Sequence, residues 1–165
     1  MGDNRTLFDV FGSEEPIPKL SIELVPKKSW YNNVRSNVKR KEWDIIRRKC
    51  YRKANYVCEV CGETGLQQGE KHRVECHEIW NYNDLVHKQT LVGFIALCPY
   101  CHKVKHPGLA SINGEGEIVI QQLMKVNKWT REQVKEYSVK SFKKWNERSD
   151  YEWEIDTSYI KKYMQ

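Results

Sequence analysis

Long apolar runs are missing from this 165-residue chain: no stretch approaches the roughly 20 consecutive apolar residues of a membrane-crossing helix. The opening MGDNRTLFDVFGSEEP lacks the basic-then-apolar order of a secretory leader. These two absences lead to the expectation of a cytoplasmic chain with no membrane partner, in a compartment that keeps thiols reduced. Six cysteines in such a setting are read as metal ligands and buried thiols rather than disulfides. Internal repeats and low-complexity tracts are also missing, which excludes a repeat array. What remains is one domain's worth of sequence. Its apolar content is a modest 39%, but 12% is aromatic, and large rings bury much area each.

Charge is unevenly spread. The chain carries a net +6, and residues 27–53 hold eleven Lys and Arg against only Glu42 and Asp44. A block of this kind is a phosphate footprint or, read more plainly, a solvated helix face. Lys39, Arg40, Lys41, Arg47, Arg48, Arg52 and Lys53 are its candidate nucleic-acid contacts. Trp30, Tyr31, Tyr51 and Tyr56 are interleaved with the charges, placed either to stack on bases or to anchor the core.

Residues 1–20 read as a flexible arm punctuated by Gly12, Pro16 and Pro18. Ser21–Val25 reads as a short strand stopped by Pro26. Trp43, Ile46, Cys50 and Ala54 recur at helical spacing, which predicts a helix over 38–54 with Cys50 in its buried stripe. Strands are expected over 73–79 and 91–97, separated by a polar loop over 80–90. A short helix is expected over 102–106, and strand then helix over 118–127. Thr130 and Gln133 form a capping-box pattern, starting a helix that runs to about Arg148 with Val134, Ser138, Phe142 and Trp145 on one face. Alternation over Tyr151–Asp156 predicts a final strand.

The chemistry lies in the middle. Cys58-x-x-Cys61 and Cys98-x-x-Cys101 are two knuckle-like pairs separated by 36 residues, a gap sized for an inserted strand–loop–strand. Two pairs on tight turns can close a four-thiolate tetrahedron, which suits zinc. Taken alone, Cys98-Pro-Tyr-Cys101 also fits a thiol redox site, and with His102 a haem attachment pattern. A redox site belongs to a βαβ context, and haem attachment needs export. The partner pair therefore favours structural zinc. His102 and His106 are four apart and share a helix face, while His77 lies on the first expected strand. Packing that strand on the helix would bring the imidazoles of His77, His102 and His106 to a second metal.

The runs CEVCG, VECHEIW and LCPYCHKVKH, covering 58–106, resemble the HNH endonucleases, also called ββα-metal or His-Me finger nucleases. The flanks ELVPKKSWYNNVRSNVKRKEWD and the C-terminal helix region resemble a compact bacterial and phage subgroup. The resemblance implies an α+β fold, with a ββα-metal core and two zinc knuckles flanked by helices and short strands. A basic helical region would span 21–57, the core 58–108, and a helix and strand extension of the same domain 109–165. It also implies that Cys58, Cys61, Cys98 and Cys101 hold structural zinc. His77, His102 and His106 would hold one divalent catalytic ion (Mg²⁺, Mn²⁺, Ni²⁺ or Zn²⁺), with DNA as partner. Aligned on Ile79, Glu78 falls at the position of the general base. A shift by one residue instead puts Cys76 at the metal and makes His77 the base. The family's middle Asn position is occupied by Gly93, with Asn81, Asn83 or Gln89 as nearby substitutes and His87 as another candidate base. The expected activity is metal-dependent hydrolysis of DNA phosphodiesters. The alternative is a zinc-stabilised nucleic-acid-binding or protein-binding module without catalysis.

Overall fold

The computed structural model describes residues 17–165. In chain order its elements are α1 (Val34–Asn37), α2 (Arg40–Lys53), β1 (Glu75–Asn83), β2 (Lys88–Leu97), α3 (Pro99–Lys105), α4 (Pro107–Ile112), α5 (Gly116–Asn127), α6 (Arg131–Ser149), β3 (Glu154–Asp156) and α7 (Tyr159–Met164). This is a mixed α+β arrangement around a small sheet of strand order β1-β2-β3. β1 and β2 form an antiparallel hairpin, with His77 opposite Ile95 and Glu78 opposite Phe94. β3 lies parallel to the start of β2, Lys88 opposite Glu154.

Each face of the sheet carries its own core. On one face Leu97, Cys98, Cys101 and Val104 pack with Val119, Leu123 and Val134, which come from α5 and α6. On the other, Trp80, Leu91, Phe94 and Ala96 pack with Ile46 and Cys50 of α2 and Tyr163 of α7. Alternation along β2 supplies both cores, with Ile95 and Leu97 on one face and Phe94 and Ala96 on the other. The stripe expected on α2 is present, with Ile46 and Cys50 buried. Glu42 accepts from the Lys39 N–H at 2.8 Å and fixes the helix start. The Thr130 cap also forms. Its hydroxyl accepts from Gln133 N at 3.2 Å, and Gln133 returns a bond from Thr130 N at 2.8 Å.

Several expectations are corrected. Ser21–Val25 is not a strand. Side chains satisfy the backbone of this segment instead of a ladder. Leu20 N donates to Asn127 Oδ1 at 3.0 Å, Ile22 N to the Tyr137 hydroxyl at 3.0 Å, and Val25 O accepts from the Trp145 indole at 2.8 Å. The arm expected over 1–20 lies largely outside the described residues, and Leu20, at its end, is fully buried. The loop expected over 80–90 is mostly strand, because Trp80, Gln89 and Leu91 have buried positions to fill. Residues 116–127 form helix throughout, and the last strand shrinks to Glu154–Asp156. Among the described residues, no helix is long and apolar enough to cross a membrane.

Candidate metal centres

The first centre is built from two turns. In the first, Gly62 N donates to Cys58 O at 2.9 Å, and Gly62 takes the left-handed conformation (φ 78°) that glycine enters without strain. The second turn is the start of α3, where Cys98 caps the helix and Pro99 occupies the first turn. The sulfur atoms of Cys58, Cys61, Cys98 and Cys101 all lie within 4.8 Å of one another. Thiolates on zinc at about 2.3 Å would sit about 3.8 Å apart at tetrahedral angles. Cys61 Sγ and Cys98 Sγ are 3.5 Å apart, so the donor set fits such an ion. Gln122, buried on α5, donates to Cys101 Sγ at 3.0 Å, as groups behind a thiolate ligand do. Hydrogen bonds from Cys101, then from Cys61 and Cys98, hold the Cys58 thiol well below its ordinary value. These four cysteines can hold a metal such as zinc.

The second centre joins β1 to the end of α3. His77 and His102 have ring centroids 5.3 Å apart, His77 and His106 5.1 Å, and His102 and His106 4.7 Å. One ligand nitrogen from each lies within 4.8 Å of the others. His106 is just past the last residue of α3 rather than inside the helix, and Pro107 opens α4 directly after it. Two carboxylates stand behind the rings. Glu23 Oε2 meets His77 Nε2 at 2.7 Å, and Glu75 Oε2 meets His102 Nδ1. Glu75 also meets His72 Nε2 at 2.8 Å through its other oxygen. Metal-bound histidines commonly engage a carboxylate through the second ring nitrogen, which fixes the tautomer. His77 and His102 each have one nitrogen held in this way and one left for an ion, so the residues fit a divalent cation.

The charges agree with this arrangement. Burial holds His77 below its ordinary value despite Glu23, and burial together with the neighbouring His102 and His77 holds His106 down at about 3. Both rings are therefore neutral and able to donate a lone pair at pH 7. Burial would raise Glu23, but the hydrogen bond with His77 and the Lys105 ammonium behind it outweigh burial and keep the carboxyl below its ordinary value. Burial likewise opposes ionisation of Glu75, yet His102 and His72 bring it down to about 2.

The structure does not bring Glu78 to this cluster. Residues 77 and 78 alternate across the strand, so Glu78 points to the opposite face. There it accepts from Val34 N at 2.7 Å and from the Trp80 indole at 3.0 Å. Burial nevertheless raises its carboxyl above the ordinary value. Cys76 shares that α2-packed face and abuts Cys50, which with burial pushes its thiol up. Gly93 packs on Ile79, Asn83 is spent capping the hairpin turn at Leu85, and Gln89 is buried. His87 stacks on Tyr151 at 4.0 Å near the hairpin's far end.

The basic block is split by its partners. Lys39, Arg40, Lys41, Arg48, Arg52 and Lys53 are exposed, and none of these side chains makes an ion pair within 4 Å among the described residues. Arg47 instead pairs with Asp44 at 2.7 Å. Helix α2 packs on the sheet face opposite the histidines, so the cations and the imidazoles lie on different sides of β1 and β2.

Two carboxylates of the candidate site are not among the residues the sequence points to. Glu75 is two residues before His77 and so shares its strand face, a signal that alternation carries. Glu23 is 54 residues from His77 in a segment with no ladder, and no local pattern identifies it. Comparison of the chain with protein-family models, with curated proteins and with solved structures returns no match to any of them.

Proposed function

We propose that the protein is a metal-dependent DNA endonuclease of the HNH type, hydrolysing phosphodiesters at the His77, His102 and His106 centre while the cysteine centre holds structural zinc. One observation carries this reading: a half-open three-imidazole cluster, backed by Glu23 and Glu75, sits on a β-hairpin followed by a helix. A domain that needs only structural metal has no use for a second cluster that is open to solvent on one side. Structural sites are closed by four protein ligands, whereas catalytic sites keep a position free.

A divalent ion bound there would supply charge relief on the phosphate, assistance to the departing oxygen and a water of lowered pKa. The chain's own residues do the rest. His77 is buried and held by Glu23, so its ring cannot swing away as substrate arrives. Glu75 does the same for the more exposed His102. Lys105, with its amine 2.9 Å from Ser21 Oγ and 3.9 Å from Glu23, helps keep that carboxylate ionised and in place. Glu78 serves the fold in this reading: it holds the start of α1 against β1. The free cations of α2 bind phosphate, which makes affinity salt-sensitive. The reading places the chain in the cytoplasm, in contact with DNA.

The placement of Glu78 favours a second reading, a nucleic-acid-binding module without catalysis. At the position the resemblance gives to the general base, both carboxylate oxygens are already engaged. The test is nicking of supercoiled plasmid with Mg²⁺, Mn²⁺, Ni²⁺ or EDTA, beside His77→Ala and His102→Ala proteins that retain zinc. Metal-dependent nicking that is lost in both variants supports the endonuclease. Salt-sensitive DNA binding without cleavage under any ion supports the module.

A further inference from the structure

The segment between Glu23 and α2 crosses the open edge of the sheet. β1 is an edge strand, and Glu23 Oε1 takes the Trp80 N–H at 3.5 Å from outside the ladder. Eleven residues later Val34, fully buried, donates to Glu78, the residue next to His77. In between, Lys27 N donates to Ser149 Oγ at 3.1 Å and Lys28 pairs with Glu152 at 3.0 Å. The segment is therefore pinned on both sides of a short exposed stretch.

That stretch carries Trp30 and Tyr31, which are 56% and 82% exposed. Neither ring packs on another ring, and neither the indole N–H nor the phenol has a hydrogen-bond partner among the described residues. Large aromatic side chains ordinarily dominate cores, and their polar tips usually find partners when buried. Two adjacent rings held outward on a pinned turn are thus available to a ligand. Residues 27–41, KKSWYNNVRSNVKRK, contain six Lys or Arg and no acid. The side chains of Arg35, Lys39, Arg40 and Lys41 are exposed and make no ion pair within 4 Å among the described residues. The ligand is therefore polyanionic and presents flat faces. It lies on the path from the histidine cluster, around the edge of β1, to the outer face of α2.

Resting on the endonuclease reading, we propose that Trp30 and Tyr31 form a stacking platform for unpaired bases of a single-stranded DNA segment whose phosphates run over Arg35 and Lys39–Lys41. In duplex DNA the base faces are stacked on one another and cannot reach an aromatic ring. A flap, gap or single strand exposes them. The favoured substrate is then DNA with an unpaired stretch beside the scissile bond rather than uninterrupted duplex. Base–aromatic stacking is sequence-tolerant, so the platform selects strandedness, not sequence.

The test is fluorescence polarisation with one labelled oligonucleotide, as single strand and as blunt duplex. It compares the wild-type protein with Trp30→Ala/Tyr31→Ala, Trp30→Phe/Tyr31→Phe and His102→Ala. The double alanine variant is expected to weaken single-strand binding about ten- to hundredfold, with duplex binding changed less than about threefold. The phenylalanine pair keeps a stacking face and is expected to stay within about threefold of wild type on both. Circular dichroism should be unchanged, because the rings are outside the core. Unchanged single-strand affinity in the alanine variant, or equal loss on both DNAs, overturns the platform even if His102→Ala abolishes nicking. Ring-dependent single-strand binding by a protein that cuts neither plasmid nor an oligonucleotide duplex with an unpaired flap keeps the platform and overturns the endonuclease reading. A wild-type protein that binds neither DNA overturns both.

Discussion

The two candidate metal centres lie at the two ends of α3 and use it in opposite ways. At the N-terminal end, Cys98 and Cys101 turn into a protein core with Leu97 and Val104, and three of the four sulfurs belong to buried residues. At the C-terminal end, only His77 is buried, while His102 and His106 keep partial access to solvent. The sulfur cluster is backed by an amide, from Gln122, and the imidazole cluster by carboxylates, from Glu23 and Glu75. A soft, closed, four-donor set maximises affinity and leaves no position for substrate. A three-donor set of imidazoles braced by carboxylates can hold an ion and still admit a ligand. In the proposed reading one short helix couples a structural staple to a catalytic site, and disturbing each end should have a different signature.

The largest effect is expected at the staple. Cys98→Ser should abolish stoichiometric zinc and unfold the domain, since structural zinc contributes on the order of 10 kcal/mol in small domains. Metal analysis with circular dichroism checks both. At the other end of α3, His102→Ala should retain zinc and fold while lowering metal-dependent nicking more than about 100-fold, and Glu75→Gln should lower it about 10- to 100-fold. Glu78→Gln sharpens the contrast between faces of β1. It should leave nicking nearly unchanged and reduce stability by about 1–3 kcal/mol in denaturant titrations, through weaker bonds to Val34 and Trp80. If Glu78 were the base, nicking would instead fall about 10²- to 10⁴-fold. Lys41→Gln, Arg48→Gln and Arg52→Gln should each lower the salt dependence of DNA binding by about one phosphate contact.

Acid tests the imidazole end separately. His106 in the metal-free protein titrates at about 3 against an ordinary 6.5, so the unfolded chain takes up its proton first. Stability of the metal-free protein should therefore be greatest above about pH 6.5 and fall steadily as the pH drops toward 3. Arg47→Gln should leave DNA binding almost unaltered, because Asp44 already holds that guanidinium.

Sequence spacing made both clusters legible, because short-range geometry builds them. The Cys-x-x-Cys pairs are turns, and His102 and His106 lie four residues apart along one short segment. Alternation along a regular strand also separates His77 from Glu78, whose side chains point to opposite faces, a signal that alignment by resemblance overrides. Glu23 was beyond reach, as its partner is set by how the segment 20–26 is tied to Asn127, Tyr137 and Trp145 on distant helices. The same ties explain why Ser21–Val25 has a strand's composition and no strand. The loop expected over 80–90 failed for a related reason. Asn81, Tyr82 and Asn83 look like turn residues, but an ion pair between Asp84 and Arg148 at 2.7 Å and the burial of Gln89 and Leu91 extend the hairpin through them.

The most direct test of two centres with divided roles is a cobalt(II) titration of metal-free protein, with visible absorption and plasmid nicking followed together. The division of roles predicts that a first equivalent produces thiolate-to-cobalt charge transfer without nicking. A second equivalent, without new thiolate bands, should then start nicking, and His102→Ala should bind the first and not the second. Nicking already complete at one equivalent, or a second equivalent bound equally well by His102→Ala, would contradict it.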